Sequence, residues 1–459
     1  MSVLLISTYD MGRQPFGLAS PAAWLTDAGL GVVCLDLAKE RFSEGPVREA
    51  STIGFFLPMH TATRLALPVI DRVRKLNPSA RLVAYGLYAP LNEALLRERG
   101  VHDVLGGEFE AELVQAALKG CATTGVQAAL KGCATPVTPG SATRALPRLD
   151  FKVPLRSVLP PLSNYATLQD GAERRTVGYT EASRGCKHRC RHCPVVPVYD
   201  GRFRIVSADI VVADARAQVD AGARHITFGD PDFFNGIRHA REVVERFARA
   251  CPGVTYDVTI KVEHLLQHSD ALPLLRDTGC AFVTSAVESL DDTVLAILEK
   301  GHTRADVERA IALCRDVRLP LSPTFVAFTP WTTVAGFLEL LHEIDRLDLV
   351  EHVSPIQYAI RLLVPQGSRM LEVEGMRRVA GPFDPVSLTH PWRHPDPRVD
   401  QLHASMTRLV GVNMSAPRRE VFGRVWGEAH TFAARIAPMR VSPPMPRATV
   451  PYLNEPWYC

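Results

Sequence analysis

Short apolar segments alternate with amphipathic ones in two stretches of this chain, at residues 1–120 and 176–363. The first stretch predicts five strands with four helices between them, and the second predicts six strands with five helices. Such alternation favours parallel sheets, because a parallel connection needs a crossover long enough to hold a helix. The sequence therefore predicts an α/β protein with two separate sheets.

The two stretches predict different architectures. Residues 1–120 are typical of a doubly wound, flavodoxin-like domain, which binds ligands at the carboxyl ends of its strands. Residues 176–363 favour a partial (β/α)6 barrel, in which functional residues also lie at those ends. The segment VQAALKGCAT occurs at 114 and again at 126, so residues 121–175 are interpreted as a duplicated segment and a proline-rich linker. Residues 364–459 form a proline-rich C-terminal extension.

Three cysteines follow the first predicted strand of the second stretch at a C-x3-C-x2-C spacing. One tight loop could present all three thiols to a [4Fe–4S] cluster and leave its fourth iron without a protein ligand. The alternative is a tetrahedral zinc site completed by His188 or His192. The cysteines are Cys186, Cys190 and Cys193.

The other residues of this loop support a metal site. Gly185 lets the backbone approach a bound group closely. Three basic side chains are expected to lower the pKa of the thiols and favour their deprotonated, ligating form. They are Lys187, Arg189 and Arg191.

The cysteine spacing and the βα units resemble the radical S-adenosylmethionine (SAM) superfamily, in which the open iron chelates the amino and carboxylate groups of SAM. The resemblance implies that Cys186, Cys190 and Cys193 are catalytic cluster ligands and that SAM is cleaved reductively. His192, just before the third cysteine, stands where relatives usually have an aromatic residue that contacts adenine.

The resemblance also implies SAM-binding residues at the ends of later strands. Gly229-Asp230-Pro231-Asp232 occupies the place of the family's Gly-Gly-Glu-Pro, which receives the SAM ammonium, although these residues are also common in turns. Glu288 and Ser289 match a pair that relatives use on the SAM ribose and methionine. Ser289 could instead begin the following helix.

The third predicted strand of this stretch carries Lys261 and Glu263. Two-residue alternation places both side chains on one side of a strand. They could face the barrel interior, with Lys261 near the cofactor, or form a solvated pair.

Residues 1–118 resemble the cobalamin-binding domain attached to many radical SAM enzymes. The resemblance rests on the doubly wound pattern and on two loops, Pro58-Met59-His60 and Gly106-Gly107-Glu108-Phe109-Glu110. It implies cobalamin contacts from Asp10, Met59, His60 and Glu108. Gly12 stands where the best-known cobalamin motif has its histidine, so cobalt would lack the usual lower imidazole ligand. His60 could equally be a surface or core residue.

The last nine residues, PYLNEPWYC, look like the start of the tail in a radical SAM group that ends in Cys-Cys-Ala-Glu-Pro or Cys-selenocysteine-Ala-Glu-Pro. The hypothesis is that a selenocysteine codon follows Cys459, which would then belong to a redox-active tail. The alternative is a frayed terminus with an incidental cysteine.

Composition limits the class of protein. Hydrophobic residues make up 46%, charged residues 22%, and the net charge is +3, so neither nucleic acid nor a membrane is expected as a partner. Ten scattered cysteines and an oxygen-labile cluster suit the cytoplasm.

These observations predict a cobalamin-dependent radical SAM enzyme that methylates an unactivated carbon of an unknown small-molecule or peptide substrate. The resemblance implies an electron donor of the flavodoxin or ferredoxin type. Two alternatives stay open: a radical SAM enzyme of redox or sulfur/selenium chemistry without methyl transfer, and a non-catalytic zinc-binding protein.

Overall fold

The structure is a computed structural model that describes residues 2–122, 149–433 and 449–454. The described residues form two compact units, the first within 1–10 and 14–160 and the second within 11–13 and 161–458. The segment predicted as duplication and linker is shared between them, because residues 149–160 group with the first unit and residues from 161 onward with the second. The second copy of the repeated segment lies outside the described residues.

The first unit contains a parallel sheet with the strand order β2-β1-β3-β4-β5. This is the doubly wound order, so the predicted fold class is confirmed. The strands are β1 (Ser2–Ser7), β2 (Gly31–Asp36), β3 (Ala50–Phe56), β4 (Arg81–Tyr85) and β5 (Asp103–Leu105). The helices are α1 (Phe16–Asp27), α2 (Glu44–Glu49), α3 (His60–Leu76), α4 (Glu93–Glu98) and α5 (Glu110–Ala122).

Close packing at the carboxyl edge shapes this unit. Tyr85 donates a hydrogen bond from its hydroxyl to the carbonyl of Gly17 at 2.8 Å. A Cβ on Gly17 would lie 2.1 Å from the ring of Phe56, so only glycine lets α1 approach β3 this closely. The short α2 was not predicted, since six residues are too few to show a helical period.

The second unit contains a seven-stranded sheet with the order β13-β12-β11-β10-β7-β6-β14. Five strands run parallel, while β6 and β14 are antiparallel at one edge. The strands are β6 (Thr167–Asp170), β7 (Glu173–Thr180), β10 (His225–Phe228), β11 (Thr255–Thr259), β12 (Cys280–Glu288), β13 (Leu321–Phe325) and β14 (Tyr452–Asn454). A separate hairpin pairs β8 (Ser183–Gly185) with β9 (Phe203–Ile205).

Helices connect the parallel strands as a partial barrel requires. They are α6 (Val196–Tyr199), α7 (Ala208–Asp220), α8 (Ile237–Ala250), α9 (Val262–Gln267), α10 (Leu272–Asp277), α11 (Asp292–Ile297), α12 (Arg304–Asp316) and α13 (Val334–Arg346). The single helix predicted over 264–277 is divided into α9 and α10 by a 3-10 turn at Ser269–Ala271.

The sixth predicted strand, at 353–363, is reduced in the structure to a single parallel bridge between Phe328 and Arg361. A 3-10 turn at Pro355–Tyr358 occupies the centre of that segment. Pro355 has no amide hydrogen to donate to a strand ladder, which accounts for the missing strand.

The C-terminal extension contains α14 (Glu374–Arg377), α15 (Pro397–Val412) and α16 (Arg418–Phe432). Phe422 of α16 packs against Tyr358, with the ring centroids 5.7 Å apart. Residues 452–454 of the predicted tail form β14, while Cys459 lies outside the described residues. Within the described ranges, no helix combines the length and the apolar character needed to cross a bilayer.

Candidate active site

The three cysteines lie on a loop, here called the cluster loop (residues 186–193), which leaves β8 and ends before α6. Gly185 opens it with a φ of +76°, and a Cβ there would lie 2.3 Å from the Tyr199 ring and 2.5 Å from the carbonyl oxygen of Arg202. A side chain at this position would therefore separate the cluster loop from β9. The sequence needs glycine here for both conformation and space.

Arginine contacts fix the far end of the cluster loop. Arg191 donates to the carbonyl of Ile297 at 2.8 Å and pairs with Glu299 at 2.7 Å. Arg369, from the C-terminal extension, donates to the carbonyl of Arg189 at 2.6 Å and pairs with the same Glu299 at 3.0 Å. The loop is thus tied both to the segment after α11 and to the extension.

The expectation that basic neighbours lower the thiol pKa is wrong for Cys186 and Cys193. Burial, with a smaller contribution from neighbouring thiols, raises the pKa of Cys186 to about 11 and that of Cys193 to about 12. Lys261 and Lys300 lower these pKa values but do not offset burial. A metal must therefore displace thiol protons as it binds.

The predicted basic residues have other roles. Lys187 and Arg189 are exposed, and Arg189 pairs with Asp200 at 2.8 Å. Arg191 holds the loop through Glu299, as described above. These basic groups therefore face solvent or carboxylates rather than the thiols.

The thiol arrangement disfavours a single zinc ion. Tetrahedral ligands at Zn–S bonds of about 2.3 Å lie about 4 Å apart. Among the described residues, one group of three potential metal ligands has all its ligating atoms within 4.8 Å of one another. Its members are His188, Asp232 and His264. The three cysteines do not form such a group, with or without His192, although Cys190 and Cys186 both raise the pKa of Cys193.

The segment after β10 begins with a glycine and a buried aspartate. A Cβ on Gly229 would lie 1.8 Å from the Tyr179 hydroxyl, so the backbone must pass close to β7. Asp230 accepts from the amide of Ala182 at 3.0 Å and from the hydroxyl of Ser183 at 2.5 Å. Burial raises the pKa of Asp230 to about 7, since these neutral donors offset only part of the desolvation.

Asp232, which follows Pro231, contacts two histidines. Its Oδ1 accepts from the amide of Phe234 at 3.2 Å, and its Oδ2 lies 2.6 Å from His264 Nδ1 and 3.4 Å from His188 Nε2. Burial alone would raise the pKa of Asp232, but the two imidazoles hold it below the ordinary range. Asp232 is therefore a buried, ionised carboxylate next to the cluster loop.

Glu288 ends β12 in a left-handed conformation, with φ of +69°. Its Oε1 lies 3.1 Å from His192 Nε2 and 3.5 Å from Lys300 Nζ. Burial would raise the pKa of Glu288, yet Lys300 and His192 lower it to about 2. The structure thus brings the two predicted residues Glu288 and His192 together.

The sequence left open whether Ser289 contacts SAM or begins the next helix. Its hydroxyl accepts from the amide of Asp291 at 3.1 Å, and Asp291 caps α11. A cavity of about 340 Å³ adjoins Glu288 and Ser289 and is also lined by Arg304 and Thr332. Ser289 is accordingly both part of a turn and part of a cavity wall.

Lys261 and Glu263 do not lie on the third strand, as the sequence predicted, because β11 ends at Thr259. They lie at the start of α9 and pair at 3.1 Å. Lys261 is 8% exposed and also lies 3.1 Å from His188 Nδ1. A Cβ on Gly301 would lie 2.8 Å from the Glu263 carboxylate, so this pair packs against a glycine. Lys261 faces the site, whereas the side chain of Glu263 is 43% exposed.

In the first unit, the four predicted cofactor contacts follow β1, β3 and β5, whose carboxyl ends share one edge. Asp10 and Glu108 are 8% and 1% exposed. Met59 precedes α3, and the ring of His60 lies 6.4 Å from that of Tyr88. The structure places these residues on neighbouring loops of a single sheet.

Sequence reasoning missed several residues of the second unit's site. The segment Lys300-Gly301-His302 gave no signal, although Lys300 and His302 are 3% and 6% exposed. Their burial between α11 and α12 would have been the clue, but burial is not visible in the sequence. The other missed residues are Asn235, His264 and Arg369. The contacts of His188 with Lys261 and His264 were also not predicted.

Comparison with known proteins agrees with this geometry. Residues 180–341 match the Radical SAM superfamily. A tRNA-2-methylthio-N(6)-dimethylallyladenosine synthase of Chlorobaculum tepidum is 30% identical over 33% of this chain and 35% of its own length. The chain spans less than half of the length of the curated relatives it matches.

Solved structures with the same fold cover more of the chain. The cobalamin-dependent SAM radical enzyme OxsB aligns with a TM-score of 0.68 at 12% identity, over 94% of this chain and 71% of that one. The radical SAM methyltransferase TsrM from Kitasatospora setae aligns with a TM-score of 0.60 at 20% identity, over 81% and 75%. The chain therefore shares its fold with these two enzymes, and its residues 180–341 match the Radical SAM superfamily.

Proposed function

We propose that this enzyme methylates an unactivated carbon of a small molecule or peptide, using a [4Fe–4S] cluster, SAM and cobalamin. The observation that carries the proposal is the three-cysteine loop beside the carboxyl ends of parallel strands, where Glu288, His192 and Lys261 also lie. The fold likeness to a radical SAM methyltransferase supports methyl transfer.

The residues present fit a cluster with one open iron. Cys186, Cys190 and Cys193 supply three soft thiolates once deprotonated, and Gly185 makes room for the loop. When bound, the cluster would supply the electron that cleaves SAM, and cobalamin would supply the methyl group. The protein's own residues hold and orient these groups and exclude water.

Four side chains would hold SAM. Glu288 stays ionised because its pKa is about 2, so it can accept from ribose hydroxyls or from the SAM ammonium. Ser289 borders the adjoining cavity, His192 presents a planar ring, and Lys261 supplies a cation for the carboxylate of SAM.

The first unit would hold cobalamin at the carboxyl edge of its sheet, where doubly wound domains bind ligands. Asp10, Met59, His60 and Glu108 are the proposed contacts. Gly86, after β4 at the same edge, has φ of +108° and a Cβ there would lie 2.9 Å from the carbonyl of Leu57. This position therefore has room for glycine but not for a side chain.

The electron donor is proposed to be a flavodoxin or ferredoxin, and the cytoplasm is the proposed compartment because the cluster is oxygen-labile. A second candidate function is sulfur chemistry, which the names of matching relatives, methylthiotransferases, favour. It would keep the cluster and SAM but not require cobalamin.

Anaerobic reconstitution of the full chain tests the proposal. We expect four iron atoms per chain, reductive SAM cleavage and copurifying cobalamin. C186A, C190A and C193A should each lose cluster and SAM cleavage, whereas C314A, which removes a buried thiol of α12, should keep both. Iron and SAM cleavage without cobalamin would favour sulfur chemistry, and colourless protein holding zinc would contradict both functions.

A further inference from the structure

The segment after β10, residues 229–236, contacts the cluster loop and the strand before it through three side chains. Asp230 accepts from Ala182 and Ser183, immediately before the loop. Asn235 and Asp232 reach the loop itself. All three are below 8% exposed, so this segment directs its polar groups at protein atoms around the cysteines.

Asn235 contacts the first cysteine. Its Oδ1 accepts from the amide of Lys187 at 3.2 Å and lies 3.7 Å from Cys186 Sγ. Its Nδ2 donates to the carbonyl of Gly185 at 3.4 Å. One carboxamide therefore holds the backbone on both sides of Cys186.

Asp232 reaches the loop through imidazoles. Lys261 can only donate, so its 3.1 Å contact makes His188 Nδ1 an acceptor and leaves the ring hydrogen on Nε2. That hydrogen faces His264 Nε2 at 3.3 Å and Asp232 Oδ2 at 3.4 Å. His264 Nδ1 then carries its own hydrogen toward Asp232 Oδ2 at 2.6 Å, an ion-pair contact rather than a well-aligned hydrogen bond.

These directions explain the grouping of two imidazoles and one carboxylate without a second metal. A metal on His188 Nε2 would put a hydrogen on Nδ1, against the ammonium of Lys261. The chain Lys261–His188–His264–Asp232 instead begins with an obligatory donor and ends with an obligatory acceptor. The arrangement is therefore that of a support for the loop.

We propose that Asp232 and Asn235 are positioning residues that set the orientation and the reduction potential of the cluster, through His188 and Cys186, rather than SAM ligands. This inference rests on the proposed cluster at Cys186, Cys190 and Cys193. Hydrogen bonds and charge near the ligating sulfurs tune the potentials of iron–sulfur clusters.

Two isosteric variants of the full, reconstituted chain test it with opposite signs. N235D adds a carboxylate next to Cys186 and should shift the cluster midpoint potential downward. D232N removes a buried negative charge and should shift it upward. Potentials are read by EPR-monitored redox titration without SAM, at four iron per chain. SAM affinity, measured separately, should change less than about threefold.

D257N is the matched control. Asp257 forms another buried contact with a histidine, His225, at 2.8 Å within β10 and β11. Its removal should leave the potential unchanged even if it lowers the melting temperature. If one of the two test variants fails to fold, the direction of the potential shift in the other still tests the proposal.

Several results would overturn the inference. Unshifted potentials in D232N and N235D, or a tenfold or greater loss of SAM affinity in D232N without a shift, would make Asp232 a SAM ligand or a bystander. A divalent metal beyond the four irons, lost in D232N, would identify a metal site at His188, Asp232 and His264. Unsubstituted protein without a four-iron cluster would overturn the proposed function itself, a result distinguishable from unshifted potentials in a loaded protein.

Discussion

Two carboxylates at the ends of parallel strands, Asp230 after β10 and Glu288 at the end of β12, are in opposite electrostatic states. The pKa of Asp230 is raised to about 7, and that of Glu288 is lowered to about 2. Burial pushes both upward. The difference lies in the partners, because Asp230 accepts only from neutral donors, while Glu288 faces Lys300 and His192.

The two residues therefore suit different roles: Asp230 supports the cluster loop, and Glu288 can bind a ligand. A carboxyl group that titrates near neutral pH and is saturated by backbone and hydroxyl donors suits a structural role at the start of the cluster loop. A carboxylate kept ionised by cations can bind a positively charged or hydroxylated ligand at any physiological pH. Because both residues lie at the ends of parallel strands, their position alone would predict the same role for both.

The largest expected effect comes from removing the cation beside Glu288. K300M leaves a buried carboxylate with less compensation, and breaking a buried ion pair from one side costs about 3–5 kcal/mol. We expect the free energy of unfolding in urea to fall by about 3 kcal/mol. K187M, which changes an exposed lysine of the cluster loop, should change it by less than about 0.5 kcal/mol.

E288Q tests recognition directly. Loss of a charged hydrogen-bonding partner costs about 2–3 kcal/mol, so SAM should bind roughly 30- to 100-fold more weakly, measured by equilibrium binding to the reconstituted protein. D230N should leave SAM affinity within about threefold. Equal losses in both variants would erase the distinction between the two carboxylates.

G229A tests how tightly the β10 end is packed. The new Cβ would overlap the Tyr179 ring, where an ordinary contact is about 3.5–4 Å, and overpacking typically costs about 1–3 kcal/mol. We expect about 2 kcal/mol of destabilisation in thermal or urea unfolding. The double variant G229A/Y179A should lose less than the sum of the single losses; strict additivity would mean that the close approach is unimportant.

A further prediction concerns the pH dependence of stability. Because the pKa of Asp230 is higher in the folded than in the unfolded protein, its contribution to stability is complete below about pH 4 and is lost as the pH rises through about 7. Glu288 has the opposite sign, with its contribution lost as the pH falls from about 4 toward 2.

D230N should therefore flatten the pH dependence of stability between about pH 4 and 7, which a shift of about three pKa units makes about 4 kcal/mol. The measurement is urea unfolding across that range, compared with the unsubstituted chain. A pH dependence identical to that of the unsubstituted chain would contradict the raised pKa.

The sequence predicted the class of both sheets, because hydrophobic alternation reports burial along each element. It also predicted that Glu288 and His192 belong to the same SAM site, and their side chains lie 3.1 Å apart. It could not predict that Lys300 would partner Glu288, that burial would outweigh basic neighbours at Cys186, or that Pro355 would leave the last strand unformed. Those outcomes depend on which side chains meet across the fold.

The central claim is that three cysteines hold a four-iron cluster whose remaining iron is open to SAM. EPR of the reduced, reconstituted protein before and after SAM addition tests it most directly. We predict a [4Fe–4S] signal whose g-values change when SAM is added. A signal that SAM leaves unchanged, or protein that holds zinc and no iron, would contradict the account.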